Sequence, residues 1–200
     1  KKYTPKWIHF YTNRNGKRPT DKHWRDFIED LKTPFGEICG YCEESCRGEV
    51  DHFQPISKFP KLVYEWENWI FSCHNCNNLK WNKWPSFGYV NPCSLKVAHR
   101  PEIYFKFDLV TGEILARNGL KPTQIKKAKN MISDLHLNEI FHLRKRIIWI
   151  GIMGLLVNHW KKFPDNKLEI EGHMRELCSD GAELISLSRA VLYDSGITLD

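Results

Sequence analysis

The sequence predicts an α+β fold in which a small strand–strand–helix unit, pinned by four cysteines, is embedded in a mainly helical chain. Two observations support this prediction. Two C-x-x-C pairs, Cys39 with Cys42 and Cys73 with Cys76, bracket two short apolar runs. From Lys121 to the end of the chain, apolar residues recur mostly at the spacing of helices. We therefore expect one compact functional unit and a larger helical remainder.

Each C-x-x-C pair has the spacing that offers two thiolates to one metal ion. Two such pairs complete the closed tetrahedral site of a structural zinc ion. Zinc ribbons of this kind often have no catalytic activity, so the cysteines alone do not indicate an enzyme. Cys46, Cys93 and Cys178 have no partner at metal spacing, and we interpret them as free thiols. Seven cysteines, an odd number, favour a reducing compartment over a disulfide framework.

The residues between the two pairs predict two strands, and a helix follows. Residues 50–53 alternate apolar with polar side chains, as a half-buried strand does. Residues 69–71 form a second short apolar run, and residues 75–83 predict a short helix capped by the first of them, an asparagine. Asp51 and His52 are therefore expected at the end of a strand.

With its motifs in this order, the segment resembles the HNH endonuclease domain, the ββα-metal nuclease finger, in its zinc-stapled form. The first motif of that family corresponds to Asp51-His52, its middle asparagine to Asn68 and its last position to Asn77, followed by Lys80 in C-x-x-C-N-x-x-K. Many members have histidine at the last position, and the asparagine variant is common in nucleases that bind magnesium through Asp and Asn. The resemblance covers about one fifth of the chain and implies a metal-dependent endonuclease acting on DNA.

The same residues suit the hydrolysis of a phosphodiester. That reaction needs a base for the attacking water, a cation that stabilises charge on the phosphate, and help for the leaving oxygen. His52 is the predicted general base, because histidine ordinarily titrates near neutral pH. Asp51 and Asn77 offer hard oxygen ligands for Mg²⁺ or Mn²⁺. Asn68 is expected to fix the loop so that the imidazole points at the water, and Lys80 to lie near a phosphate oxygen.

Each of these residues also has an interpretation that involves no catalysis. An Asp-His dipeptide alone is a weak signal, because histidines more often satisfy a local hydrogen bond. Its conjunction with Asn68, Asn77 and Lys80 inside a zinc frame favours the nuclease. The alternative is a zinc-stabilised nucleic-acid-binding or adaptor module with an inactive nuclease site. Three interpretations of His74 are left: a zinc ligand, a contact to DNA, or an exposed residue with no role in the site. The last is favoured.

Charge and length set the wider organisation. A net charge of +6 over 200 residues favours a polyanionic partner such as DNA. We predict an N-terminal arm and helix at 1–36, a nuclease domain with an aromatic passage and a β-hairpin at 37–120, and a helical C-terminal region at 121–200.

The longest apolar run, residues 147–157, is too short to span a bilayer. No signal peptide is recognised, and the expected location is the bacterial cytoplasm.

The segments on either side of the cysteine pairs are rich in aromatic residues. Residues 1–19 either lie on DNA or wrap the domain with Trp7 as an anchor. A helix is predicted to begin at Thr20 and to pack its aromatic face against the cysteine-pinned unit. Residues 103–107 and 113–116 predict a hairpin. Four aromatic residues after the second cysteine pair are expected to cover the zinc core rather than stack on bases: Trp81, Trp84, Phe87 and Tyr89.

Three helices are predicted in the C-terminal region. The first begins at Lys121-Pro122, and its lysines by default face solvent. The second is long, begins after Asn138 and stops at Pro164. It is apolar almost all round, so its own domain or another chain must cover it. After a weakly patterned stretch, the last is capped by Asp180 with Glu183.

The order of motifs along the chain also resembles the PtuB-like HNH nucleases of bacterial anti-phage systems such as Septu and some retrons. The features that carry this resemblance are V-D-H-F-x-P, W-x-N-W, Asn91-Pro92-Cys93, the Tyr-Phe-x-Phe hairpin and L-H-L-N at residues 135–138. In that family the nuclease works with an ATPase partner, PtuA. The resemblance implies that the apolar C-terminal helices bind such a partner.

Overall fold

The structure is a computed structural model that describes residues 4–14, 16–20, 23–94 and 101–199. Within these ranges, the helices are α1 (Thr4–Asn13), α2 (Ile28–Phe35), α3 (His74–Lys80), α4 (Pro101–Tyr104), α5 (Pro122–Asp134), α6 (Ile140–Lys162), α7 (Lys167–Leu177) and α8 (Ile185–Asp194). The strands β1 (Glu49–His52) and β2 (Trp69–Ser72) form one antiparallel pair, and β3 (Phe105–Phe107) and β4 (Ile114–Ala116) form another. The predicted mixture of helices and strands is confirmed.

The second cysteine pair determines where α3 begins. The helix starts at His74 rather than after the predicted cap Asn75, and it ends at Lys80. Its cap is the sulfur of Cys73, which accepts a hydrogen bond from the backbone N–H of Cys76 at 3.3 Å. The thiol replaces an asparagine cap because the C-x-x-C turn itself forms the first turn of the helix. A predicted zinc ligand therefore also caps α3.

Within the predicted N-terminal arm, α1 packs against α2 and the β1–β2 sheet. Trp7 in α1 is 1% exposed, and its ring stacks on Tyr11 with centroids 5.8 Å apart. The interpretation of Trp7 as an anchor therefore agrees with the structure.

The predicted helix at Thr20 begins later and in two parts. A 3₁₀ turn at Trp24–Phe27, capped by His23, leads into α2. The prediction of its start was wrong, because His23 accepts a hydrogen bond from the backbone N–H of Arg25, which makes His23 the capping residue. The predicted packing of its aromatic face is observed: the Phe27 ring lies 5.5 Å from that of Trp69.

In the part of the chain that the structure describes, the buried apolar side chains form three clusters. One joins the cysteine pairs to the β3–β4 hairpin and α5, one lies among α6, α7 and α8, and one joins α1 and α2 to the β1–β2 sheet. Trp84 and Tyr89 belong to the first cluster, as predicted. Trp81 and Phe87 do not cover this core, because their side chains are 69% and 57% exposed.

The C-terminal helices differ from the prediction at their caps. Asn138 does not cap α6: its amide exchanges two hydrogen bonds with the backbone of Ile114 in the hairpin. Asp180 and Glu183 do not cap α8 either, because Asp180 pairs with Arg189 and Glu183 with Lys145. The weakly patterned stretch before them contains a helix, α7, that the sequence pattern missed.

Hydrogen bonds connect the C-terminal helices to the first cysteine pair. The backbone N–H of Leu184 donates to the carbonyl of Glu43 at 2.9 Å, and Ser186 donates to the Glu43 carboxylate through both its backbone and its hydroxyl. Among the described residues, no helix combines the length and the apolar character that crossing a membrane requires.

Candidate active site and zinc site

The four cysteines form one cluster. Their sulfur atoms lie within 4.8 Å of one another, and those of Cys42 and Cys73 are 4.0 Å apart. Tetrahedral zinc with bonds of about 2.3 Å places its sulfur ligands about 3.8 Å apart, so the spacing fits. The backbone N–H of Tyr41 also donates to the sulfur of Cys39, which stabilises a thiolate. The cluster of Cys39, Cys42, Cys73 and Cys76 can therefore hold a structural zinc ion.

His52 lies at the end of β1, and one edge of its ring is anchored. Its Nε2 is 2.9 Å from the carbonyl oxygen of Val63, so Nε2 carries the proton and donates. The ring packs edge-on against Trp24, with centroids 4.7 Å apart. Burial lowers the pKa of His52 to about 4, so the imidazole is neutral at physiological pH.

The Nδ1 atom of His52 is left with a lone pair, because the proton is on Nε2. No described residue forms a hydrogen bond to it. Although the residue is only 5% exposed, it lines a cleft of about 610 Å³. Asp51, Asn77 and Glu49 line the same cleft.

Asp51 is held in a buried ion pair. The Lys80 ammonium lies 3.0 Å from Oδ1 and 2.9 Å from Oδ2, and the Tyr41 hydroxyl donates to Oδ2 at 2.5 Å. Burial raises the pKa of Asp51 and lowers that of Lys80, while each charge favours the ionisation of the other. Lys80 is fully buried and also donates to the carbonyl of His52. It therefore lies behind the cleft, and the structure does not place it where we predicted a phosphate contact.

Asn77 projects from α3 towards β1. Its Nδ2 donates to Oε2 of Glu49 at 2.5 Å, and the other oxygen of Glu49 contacts His74 Nδ1 at 2.8 Å. Partial burial acts to raise the pKa of Glu49, but these two hydrogen bonds lower it overall. His74 lies outside the cysteine cluster, and its Nε2 contacts Asn78.

Glu49 is the cleft residue that sequence reasoning missed. It lies two residues before Asp51 in a strand, and residues at that spacing share a face. The alternation of side chains along β1 could therefore have identified Glu49 from the sequence.

Asn68 is buried and closes the loop between the two strands. Its Oδ1 accepts from the backbone N–H of Gln54 at 2.8 Å, while its Nδ2 donates to the carbonyls of Gln54 and Leu62. The residue after Leu62 is Val63, whose carbonyl anchors His52. Asn68 thus contacts the loop that orients the imidazole and does not line the cleft.

Comparison with known proteins agrees with the motifs of the cleft. Residues 39–83 match the family model of the HNH endonuclease. The Septu protein PtuB of Bacillus thuringiensis is 45% identical to this chain over 47 residues. That match covers 21% of this chain and only 18% of PtuB. The chain therefore contains an HNH endonuclease domain at residues 39–83, and a 47-residue segment of it is similar to PtuB.

Proposed function

We propose that the chain is a metal-dependent endonuclease that hydrolyses DNA phosphodiester bonds, with β1, β2 and α3 acting as a ββα-metal finger. The orientation of His52 carries this proposal. A neutral imidazole with one nitrogen anchored and the other unpaired beside a cleft is suited to take a proton from water. The Val63 carbonyl sets the tautomer, and Asn68 holds the loop that carries this carbonyl.

The oxygen atoms beside His52 suit a hard divalent cation. Asp51, Asn77 and Glu49 supply carboxylate and amide oxygens, which Mg²⁺ and Mn²⁺ prefer. Such an ion, when bound, stabilises the charge on the phosphate and on the leaving oxygen. A carboxylate has about four lone-pair positions, and the Tyr41 hydroxyl and the Lys80 ammonium, which contacts both oxygens, occupy three of them. A metal at Asp51 would have to use the remaining position. The Lys80 charge opposes the effect of burial on the pKa of Asp51 and so favours the ionised form of this carboxylate.

The same ion pair supports a second candidate function. Because Lys80 neutralises Asp51, the cleft attracts a divalent cation less strongly than two unpaired carboxylates do. A zinc-stabilised nucleic-acid-binding or adaptor module with an inactive site is the function that this observation favours.

Cleavage of supercoiled plasmid by the zinc-loaded protein separates the two functions. We expect cleavage with MgCl₂ or MnCl₂ and none without added divalent cation. His52→Ala should lower the rate at least about a hundredfold, because general base catalysis contributes about 10²–10⁴-fold. Its zinc content and circular dichroism should match the wild type. His173→Ala, which removes an exposed histidine from α7, is the control and should cut normally.

Two results would contradict the nuclease. An active His52→Ala protein would show that the base is elsewhere. A wild-type protein that shifts the plasmid in a gel with every cation, but never cuts it, would establish the binding module.

We further propose that the protein is the nuclease subunit of a Septu-like anti-phage defence system and that its C-terminal helices bind a PtuA-like ATPase. The resemblance to PtuB supports the system. The surface of α6 supports the C-terminal helices as the place where the ATPase binds, since three apolar side chains there are exposed. Ile148, Ile152 and Leu155 are 64%, 42% and 71% exposed. Isoleucine and leucine exposed along one helix are typical of an interaction surface.

A further inference from the structure

Trp81 is an exposed aromatic residue at the rim of the cleft. Its side chain is 69% exposed, whereas Trp24, the other tryptophan of the cleft, is 7% exposed and packs on His52. No ring of a described residue contacts Trp81. Its indole therefore stabilises the fold little and remains available to a ligand.

The backbone of Trp81 adopts a conformation that large side chains avoid. Its φ is +43° and its ψ is −128°, a region in which glycine is favoured. The conformation is maintained by the hydrogen bond from its N–H to the carbonyl of Asn77 at 2.8 Å, which ends α3. Trp81 is thus placed directly after the helix that carries a predicted metal ligand. The exposed indole offsets little of this strain by packing.

The cleft that Trp81 borders also contains polar and cationic side chains. Asn78 and Asn82 expose amides, and Arg25 exposes a guanidinium that lies 4.9 Å from the centre of the Trp24 ring. Aromatic surfaces beside cationic side chains are the combination by which proteins bind unpaired nucleic acid strands, with bases stacked on the rings and phosphates near the charges. A paired and stacked duplex offers no base face to a side chain of this kind.

We propose that Trp81 stacks on an unpaired base and that Arg25 contacts the adjacent phosphate, so that the cleft selects strands that are unpaired at the cleavage point. This proposal rests on the proposed nuclease function and adds the class of substrate. It assigns Trp81 a role in substrate selection rather than in the chemical step.

Binding by the inactive His52→Ala protein tests the proposal without cleavage. Fluorescence anisotropy with MgCl₂ would compare a fluorescein-labelled oligo(dT) strand with a duplex of the same length. We expect additional Trp81→Ala to weaken binding of the single strand about tenfold, since stacking of one base contributes that order of affinity. The affinity for the duplex should fall much less. Trp81→Phe should keep most of the affinity, because it retains an aromatic face.

Salt dependence distinguishes the two side chains. Trp81→Ala should leave the slope of log affinity against log salt unchanged, because no phosphate contact is lost. Arg25→Ala should reduce that slope by about one. Tyr193→Ala, which removes another exposed aromatic side chain from α8, is the control and should change neither quantity.

Trp81→Gly separates stacking from folding. Glycine relieves the backbone strain at a positive φ, so this variant should melt at the same temperature as its parent or higher, while losing the single-strand affinity. Unchanged affinity in Trp81→Ala and Trp81→Gly would overturn the proposal, as would equal losses in Trp81→Phe and Trp81→Ala. Wild-type protein that fails to cut plasmid while these losses appear would refute the nuclease and leave the stacking role standing.

Discussion

At the scale of single residues, the buried ion pair of Asp51 and Lys80 is the main electrostatic feature of the HNH domain. Two opposite charges that are both shielded from water depend on each other, since either one alone has no compensation. Lys80 also donates to the His52 carbonyl, so the pair joins α3 to the strand that carries the predicted base. Its first role is to hold that strand and helix together.

Lys80→Met tests this role. The variant keeps the length of the side chain and leaves the Asp51 carboxylate buried without its counter-charge. We expect the free energy of unfolding to fall by about 3–5 kcal/mol, measured by urea unfolding of the zinc-loaded protein.

Adding Asp51→Asn to Lys80→Met should restore part of the lost stability, because no buried charge is then left unpaired. Lys161→Met, at an exposed position of α6, is the control and should unfold with wild-type stability. A stability change for Lys80→Met within about 0.5 kcal/mol, the range of ordinary surface substitutions, would show that Asp51 does not need the ammonium.

At the scale of elements, the turn before α2 depends on an uncharged histidine. His23 Nδ1 accepts from the backbone N–H of Arg25, and the backbone N–H of His23 donates to the Asp26 carboxylate in return. Burial, followed by the charges of Arg18 and Arg25, lowers the pKa of His23 to about 4, against an opposing effect of Asp26. A proton on Nδ1 would remove the acceptor and break this cap.

The stability of the protein should therefore fall in mild acid. Because the pKa of His23 is lower in the folded state than in the unfolded state, this contribution is complete above about pH 6.5 and is lost as the pH falls towards 4. Thermal melts of the wild type and of His23→Asn across this range measure it. Asparagine caps without titrating, so the variant should lose less stability between pH 7 and pH 5. Parallel losses in the two proteins would place the acid sensitivity elsewhere.

Spacing along the chain explains both which features could be predicted from the sequence and which could not. The spacing within each C-x-x-C pair is local, and the four thiolates that a structural zinc ion needs predicted that the two pairs come together. Cys76 and Lys80 are four residues apart on α3 and so share its interior face, a signal that argues for the burial of Lys80. Asp180 pairs with Arg189, nine residues later, and Asn138 with Ile114, 24 residues earlier. Neither spacing is part of a capping motif, so the local patterns did not predict these partners.

At the scale of the whole molecule, α6 has a covered and an uncovered side. Met153 and Val157 are buried in the cluster that α6 forms with α7 and α8, while Phe141, Ile148 and Leu155 are about half or more exposed. The helix is apolar almost all round, as predicted, but its own domain covers only part of it. The exposed side of α6 is therefore the surface at which a second protein can remove apolar area from water.

Ile148→Lys with Ile152→Lys tests this surface. Both side chains already contact solvent, so the double variant should keep the melting temperature and plasmid cleavage of the wild type. It should lose co-purification with a PtuA-like ATPase expressed beside it, because two charges would have to be buried in the contact. Val110→Lys, at a site 88% exposed in the hairpin turn, is the matched control and should retain the partner. An ATPase that binds the double variant as tightly as the wild type would exclude this face of α6 from the interface.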